Sequence, residues 1–263
     1  MTTSTSRVIA ILTAALGGAV VIGAITTTAM STVASASTSS SAEEVSVAGV
    51  ERVELTLAAG DMRVEFTDTA RAELRVDGGR DADRWTFERD GDTLRVASPS
   101  WGGPWRWWGW NTEESSAVLT LPQDLAGVDG VFDLAAGDLD VEGDFGALEI
   151  SLGAGEARVD GSAREVEADI SAGRATLTLD DVDDADLSVS AGGLEGTFTG
   201  SAPRAVDIDV SAGSLELTLP DEAYRVTSDV SAGTLDNRLS TGADAGRTVS
   251  VQLTAGQVVL RAE

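Results

Sequence analysis

Residues 206–219 read VDIDVSAGSLELTL, with apolar and polar side chains alternating on both sides of Ala212-Gly213. The same figure recurs around Gly60, Gly137, Gly155, Gly173, Gly192, Gly213, Gly233 and Gly256, and from Gly137 onward the intervals are 18, 18, 19, 21, 20 and 23 residues. Three, five and seven places before a glycine stand Leu152, Ile150 and Leu148, or Leu253, Val251 and Val249. Two, four and six places after one stand Ala175, Leu177 and Leu179, or Met62, Val64 and Phe66. A period of two on each side of a fixed point predicts a half-buried strand, a tight bend, and a second half-buried strand. Glycine suits the bend because it takes positive φ without a Cβ clash. The adjoining alanine suits a place where neighbouring bends stack closely.

One such unit buries about six side chains, each contributing about 1.5 to 3 kcal/mol. Ordering its ~20 residues costs on the order of 1.5 kcal/mol per residue, so it does not stand alone. Stacked units share a continuous core, which predicts an all-β fold, specifically a β-solenoid (β-helix or β-roll) of ~20-residue coils. At about 4.8 Å per coil, seven coils make a rod of roughly 34 Å. A β-sandwich or a meander of antiparallel hairpins is the alternative. The solenoid is favoured because the register survives intervals from 18 to 23 residues, which places insertions in outer turns.

The first half is less regular. A first corner, VELTLAAGDMRVEF, is followed by RAELRV and by WTFER and TLRVA around Asp90-Gly91-Asp92, a hairpin signal. AVLTLP (residues 117–122) leads into the regular array. Between them residues 100–116, SWGGPWRWWGWNTEESS, form a predicted loop insertion in which Trp101, Trp105, Trp107, Trp108 and Trp110 are interleaved with glycine and proline. Exposed indoles are costly, so something covers them. Three readings stand open: the loop caps an unpaired end of the stack, it is a recognition surface that stacks on sugars or fills a partner's pocket, or it rests on a membrane interface. Arg106 lies among the rings and suits cation–π contact in each case.

Residues 8–30 carry no charge and are long enough to span a bilayer as one helix, with Arg7 before them. Ala34-Ser35-Ala36 also offers a signal-peptidase site. The expected organisation is therefore a signal or transmembrane anchor at 1–36, a tether at 37–44, and one β-solenoid domain at 45–263. Arg7 on the cytoplasmic side puts that domain outside, anchored by the helix or secreted after cleavage behind Ala36.

Composition narrows the chemistry. The chain has 18 basic residues, every one arginine, against 44 acidic ones, for a formal charge of −26 and a pI near 4.1. Such a surface repels nucleic-acid phosphates and anionic lipid head groups. Cysteine and histidine are absent, which removes disulfides, thiol and imidazole chemistry and the usual zinc ligands. No nucleophile elbow or phosphate loop is present, so no catalytic residue and no cofactor is expected. In-register stacking would align Glu149, Glu167, Asp186 and Asp207 in one column, and Asp133, Ser151, Asp169, Ser188, Asp209 and Asp229 in another. These are a solvated acidic face or, more specifically, a place of weak, distributed Ca²⁺ binding. The acidic run Asp180–Asp186 lacks the glycine and the closing glutamate of a calcium loop.

The runs AAGDLDVEG, GAGEARVDG, SAGRATLTL and SAGSLELTLP, behind an apolar N-terminal segment, resemble the bacterial putative-adhesin β-strand-repeat family, a domain of unknown function in cell-envelope proteins. The resemblance covers about residues 45–263 and implies a β-solenoid in an envelope setting; it brings no catalytic residue. The expected function is a non-catalytic envelope scaffold that presents a surface to envelope proteins or cell-wall polymer. The alternative is a glycan-binding module using the tryptophan loop.

Overall fold

The structure, a computed structural model, describes residues 40–77, 84–99 and 116–263, which fall in one compact unit, Thr38–Glu263. The 17 strands among them belong to one hydrogen-bonded network. They are β1 (Ser40–Val45), β2 (Arg52–Leu57), β3 (Asp61–Thr67), β4 (Ala72–Asp77), β5 (Thr86–Asp90), β6 (Thr93–Ala97), β7 (Ser116–Pro122), β8 (Val128–Leu134), β9 (Asp138–Leu152), β10 (Glu156–Ile170), β11 (Arg174–Asp180), β12 (Asp184–Val189), β13 (Gly193–Thr199), β14 (Ala205–Leu219), β15 (Tyr224–Val230), β16 (Thr234–Asn237) and β17 (Arg247–Ala262). The all-β class holds.

Successive phrases of the sequence lie side by side and parallel. Ile150 pairs with Ala168, Ala168 with Leu187, and Leu187 with Ile208 on one sheet. Val159 pairs with Leu177, and Leu177 with Gly196, on the other. Parallel pairing excludes a hairpin meander over this stretch, because hairpins join antiparallel strands. The long strands β9, β10, β14 and β17 run through both sheets. In consequence β10, β11, β13, β14 and β12 pair in a closed ring of five, with the remaining strands extending it at either side. The apolar positions found by alternation point between the sheets: Leu148, Ile150, Leu152, Leu177, Leu179, Leu215, Leu217 and Leu219 are all at most 1% exposed.

The glycine corners stack, and the reason for glycine differs among them. Positive φ is required at Gly60, Gly137, Gly155, Gly233 and Gly256. At Gly173, Gly192 and Gly213 it is space that decides: a Cβ there would come within 2.7, 2.2 and 2.5 Å of the carbonyl oxygen of the preceding corner's glycine.

Stacking order departs from chain order at both ends. A Cβ on Gly256 would strike the Gly213 carbonyl oxygen, and one on Gly233 would strike that of Gly256. The last strand, β17, therefore lies between β14 on one side and β15 and β16 on the other. At the opposite end β6 and β7 pair outside β2 and β3, although they follow them in sequence. Beyond these, β4 adds antiparallel to β7 and β1 antiparallel to β4, while β5 adds antiparallel to β6. Asp90-Gly91-Asp92 makes the expected hairpin between β5 and β6.

Two expectations about the N-terminal part change or fall outside. Residues 40–44, taken as the end of a tether, belong to the edge strand β1. The apolar segment 8–30 and the site at Ala34–Ala36 lie outside the described residues. Among the described residues no helix is long and apolar enough to cross a membrane.

Candidate functional site

Outward positions of the first sheet carry the acidic columns. Glu149 pairs with Glu167, Glu167 with Asp186, and Asp186 with Asp207, so four carboxylates occupy consecutive register positions. The column ends in neutral side chains: Val131 lies beside Glu149, and Ser250 beside Asp207. Two residues along the strands runs the second column, Asp133–Ser151–Asp169–Ser188–Asp209. Here the structure corrects one neighbour. Gln252 separates Asp209 from Asp229, because β17 is inserted between β14 and β15.

None of Asp133, Glu149, Glu167, Asp169, Asp186, Asp207 and Asp209 is among the ion pairs of the described residues. Adjacent carboxylates at the strand spacing of about 4.8 Å repel by about 0.9 kcal/mol even at the dielectric of water. Glu167 shows the result: burial and then Glu149, Asp169 and Asp186 raise its pKa above the ordinary value. Asp186 is raised likewise, by burial first and then by Asp207, Asp169 and Asp209.

The second sheet also aligns acids, Asp61–Asp138–Glu156 and Glu65–Glu142–Asp160, but interleaves arginine among them. Arg63 meets Asp140, its register partner, at 2.7 Å, Arg158 meets Glu156 at 3.1 Å, and Arg261 pairs with Glu216. A shallow depression of about 390 Å³ lies there, with Met62, Arg63, Val118, Asp140, Glu156 and Arg158 among its walls. On the first sheet arginine is confined to the margins, where Arg95 meets Glu54 at 3.0 Å and Arg204 meets Asp184 at 2.6 Å. Sequence periodicity found the acidic columns; it did not show this division, because a pairing such as Arg63–Asp140 spans 77 positions of chain.

Among the described residues no three acidic side chains come together so as to hold a metal ion. The expected calcium site therefore has its column but not a cage. Asp181, in the acidic turn, accepts a hydrogen bond from the Ser201 backbone amide at 3.0 Å, which holds its carboxyl below the ordinary range. Trp101, Trp105, Arg106, Trp107, Trp108 and Trp110 lie outside the described residues. Their segment joins β6 to β7, where other rungs carry an Ala-Gly corner, and the Ser98 hydroxyl at its start accepts a 2.8 Å hydrogen bond from the Ala58 amide.

A pH dependence follows from Glu167 and Asp186. In the folded state both hold a proton more firmly than in the unfolded chain. Their contribution is therefore unfavourable at neutral pH, improves as pH falls through the raised values, and is complete below the ordinary carboxylate range. The melting temperature is expected to rise as pH is lowered from 7 toward the ordinary carboxylate range at low salt, and thermal melts followed by circular dichroism check it. The double variant Glu167→Gln/Asp186→Asn should already be more stable at pH 7, with a flatter profile. A melting temperature that falls throughout this interval would contradict the account.

No known family matches the chain, and no curated protein matches it. Solved structures are similar in fold at low identity. One is described as a "putative cell adhesion protein" from Clostridium sporogenes, 10% identical over 86% of this chain and 100% of that one, with a TM-score of 0.40. A "putative adhesin" from Parabacteroides distasonis is 12% identical over 84% and 96%, with a TM-score of 0.46. A "putative lipid binding protein" from the same organism is 12% identical over 83% and 96%, with a TM-score of 0.42.

Proposed function

We propose that the chain is a non-catalytic protein of the cell envelope, a rigid β-solenoid that presents its first sheet to a cationic protein or wall polymer. One observation carries the reading: the column Glu149–Glu167–Asp186–Asp207 is four carboxylates long in consecutive register and has no arginine partner among the described residues, whereas on the opposite sheet arginine is interleaved at Arg63, Arg158 and Arg261 and the acidic columns, Asp61–Asp138–Glu156 and Glu65–Glu142–Asp160, are shorter. Holding four like charges in line is unfavourable for the free protein. A cationic partner relieves that repulsion, so binding and stability are linked through the same side chains. A stiff sheet also loses little conformational entropy on binding. Residues 8–30 hold the domain at the outer surface of the membrane, or processing after Ala36 releases it; N-terminal sequencing of the exported protein distinguishes the two.

The test is retention on purified envelope and wall fractions, and on a basic polypeptide, over a range of salt. The variant Glu149→Gln/Glu167→Gln/Asp186→Asn/Asp207→Asn is expected to bind at least about tenfold more weakly at low salt, with a reduced salt dependence. Unchanged binding by that variant, together with loss of binding in Trp105→Ala/Trp107→Ala/Trp108→Ala, would replace this reading with a glycan-binding one.

A further inference from the structure

Strand β15 has β17 along one side and, among the described residues, only a single bridge on the other, between Tyr224 and Thr241. The backbone hydrogen bonds show which groups face the open side. The Tyr224 amide donates outward to the Ser240 carbonyl at 2.9 Å, and its carbonyl accepts from the Gly242 amide at 3.0 Å, whereas the Ser231 amide donates inward to Leu253. Alternation then turns the amides and carbonyls of Val226, Ser228 and Val230 outward. The free edge is the stretch 226–230, bounded by the bridge at Tyr224 and by the Gly233 corner, and its midpoint is Ser228.

Strand β15 carries exposed Arg225 and Asp229, but within the free stretch 226–230 Asp229 is the one charge, fewer than on the edge strands β1 and β5. Strand β1 carries exposed Glu43 and Glu44, and β5 carries exposed Glu88, Arg89 and Asp90. Strand β16 is four residues long and holds Asp236, paired with Arg238 at 2.6 Å. Charge and shortness are the usual devices that block strand addition. On β15 the positions that point between the sheets are Val226, Ser228 and Val230, and Val230, 40% exposed, is the one large hydrophobic side chain exposed among the described residues.

We propose that two copies of this chain pair through β15, antiparallel and related by a two-fold axis at Ser228. That register uses the free stretch completely: Val226 faces the partner's Val230, Ser228 faces its own counterpart, and Val230 faces the partner's Val226. Each of these is a hydrogen-bonded pair, so the sheet continues across the axis with its outward amides satisfied. On the other face Thr227 opposes the partner's Asp229, so no acid sits directly opposite an acid. The contact is isologous and closes at two copies. With −26 on each chain, long-range repulsion opposes the pairing and salt favours it.

The chain has no cysteine, so one introduced thiol reports the axis. Hydrogen-bonded residues on antiparallel strands have Cα atoms about 5.5 Å apart, within the range of a disulfide. In the full-length protein in detergent, Ser228→Cys is expected to give a covalent dimer under mild oxidation, faster at high salt, whereas Thr178→Cys, exposed on the second sheet, gives far less. Ser228→Pro removes an amide that faces away from its own fold. It should keep the wild-type circular dichroism spectrum while weakening the association seen by sedimentation at least about tenfold. Ser228→Val should strengthen it. Crosslinking of Ser228→Cys no greater than that of Thr178→Cys, or association untouched in a folded Ser228→Pro protein, would overturn the proposal.

Discussion

Gly155→Ala is expected to remove the greater part of the stability of this protein, more than about 4–5 kcal/mol. The corner glycines lie one above another so closely that a Cβ on Gly155 would come within 2.0 Å of the Gly137 carbonyl oxygen. The rungs cannot separate to make room, because the Glu156 amide donates to the Gly137 carbonyl at 3.1 Å and the Arg174 amide donates to the Gly155 carbonyl at 2.9 Å. Any shift at this corner breaks ladder hydrogen bonds on both sheets. The informative comparison is Gly127→Ala. Gly127 also has positive φ, +89°, but a Cβ there meets nothing within 4 Å. Its substitution bears only the conformational cost, about 1–2 kcal/mol. Denaturant melts of the two variants separate close stacking from backbone preference. Equal losses would mean that the corners do not crowd one another.

Phe145→Ala is the second large effect, a loss of about 3–5 kcal/mol. Phe145 is 3% exposed and lies between two other rings, its centroid 5.7 Å from Phe66 and 5.6 Å from Phe132, both edge to face. Glycine makes the room: a Cβ on Gly143 would come within 2.3 Å of the Phe66 ring, and one on Gly130 within 3.0 Å of Phe145. With small residues already lining the site, the space left by the ring has few side chains able to fill it. Phe145→Leu retains most of the volume and should lose less than Phe145→Ala. Urea titrations are expected to move the midpoint with an unchanged slope, the mark of a stability change without a new denatured state.

How much of this was legible in the chain depends on distance along it. The alternation around Gly155 and Gly213 names the buried and the outward side chains, because strand period and tight bends are local properties. It also places Glu149, Glu167, Asp186 and Asp207 in line, since a parallel ladder keeps register. Which rung lies beside which is not local. SAGSLELTL and SAGTLDNRL present nearly the same edge, so nothing in the phrase shows that β17 enters between them. The antiparallel additions β1, β4 and β5 lack the corner, and residues 40–44 read as the end of a tether because a serine-rich segment has no apolar face to place. The role of glycine was half legible. Positive φ was expected at every bend, but Gly173, Gly192 and Gly213 are there because a carbonyl lies where a methyl would be. The tryptophan cluster, the most conspicuous feature of the sequence, lies outside the described residues.

The placement of β17 bears on how the protein is made. Synthesis runs from the N-terminus, and a stack in chain order could zip up rung by rung behind the ribosome or the translocation pore. Here residues 224–237 emerge before the strand they must rest against, and β14 keeps an open flank until Arg247 and the fifteen residues after it have appeared. The strand that follows β15 and β16 in the chain is thus an interior one, paired along both sheets at once. The final two turns of the stack therefore lock together only once β17 has emerged.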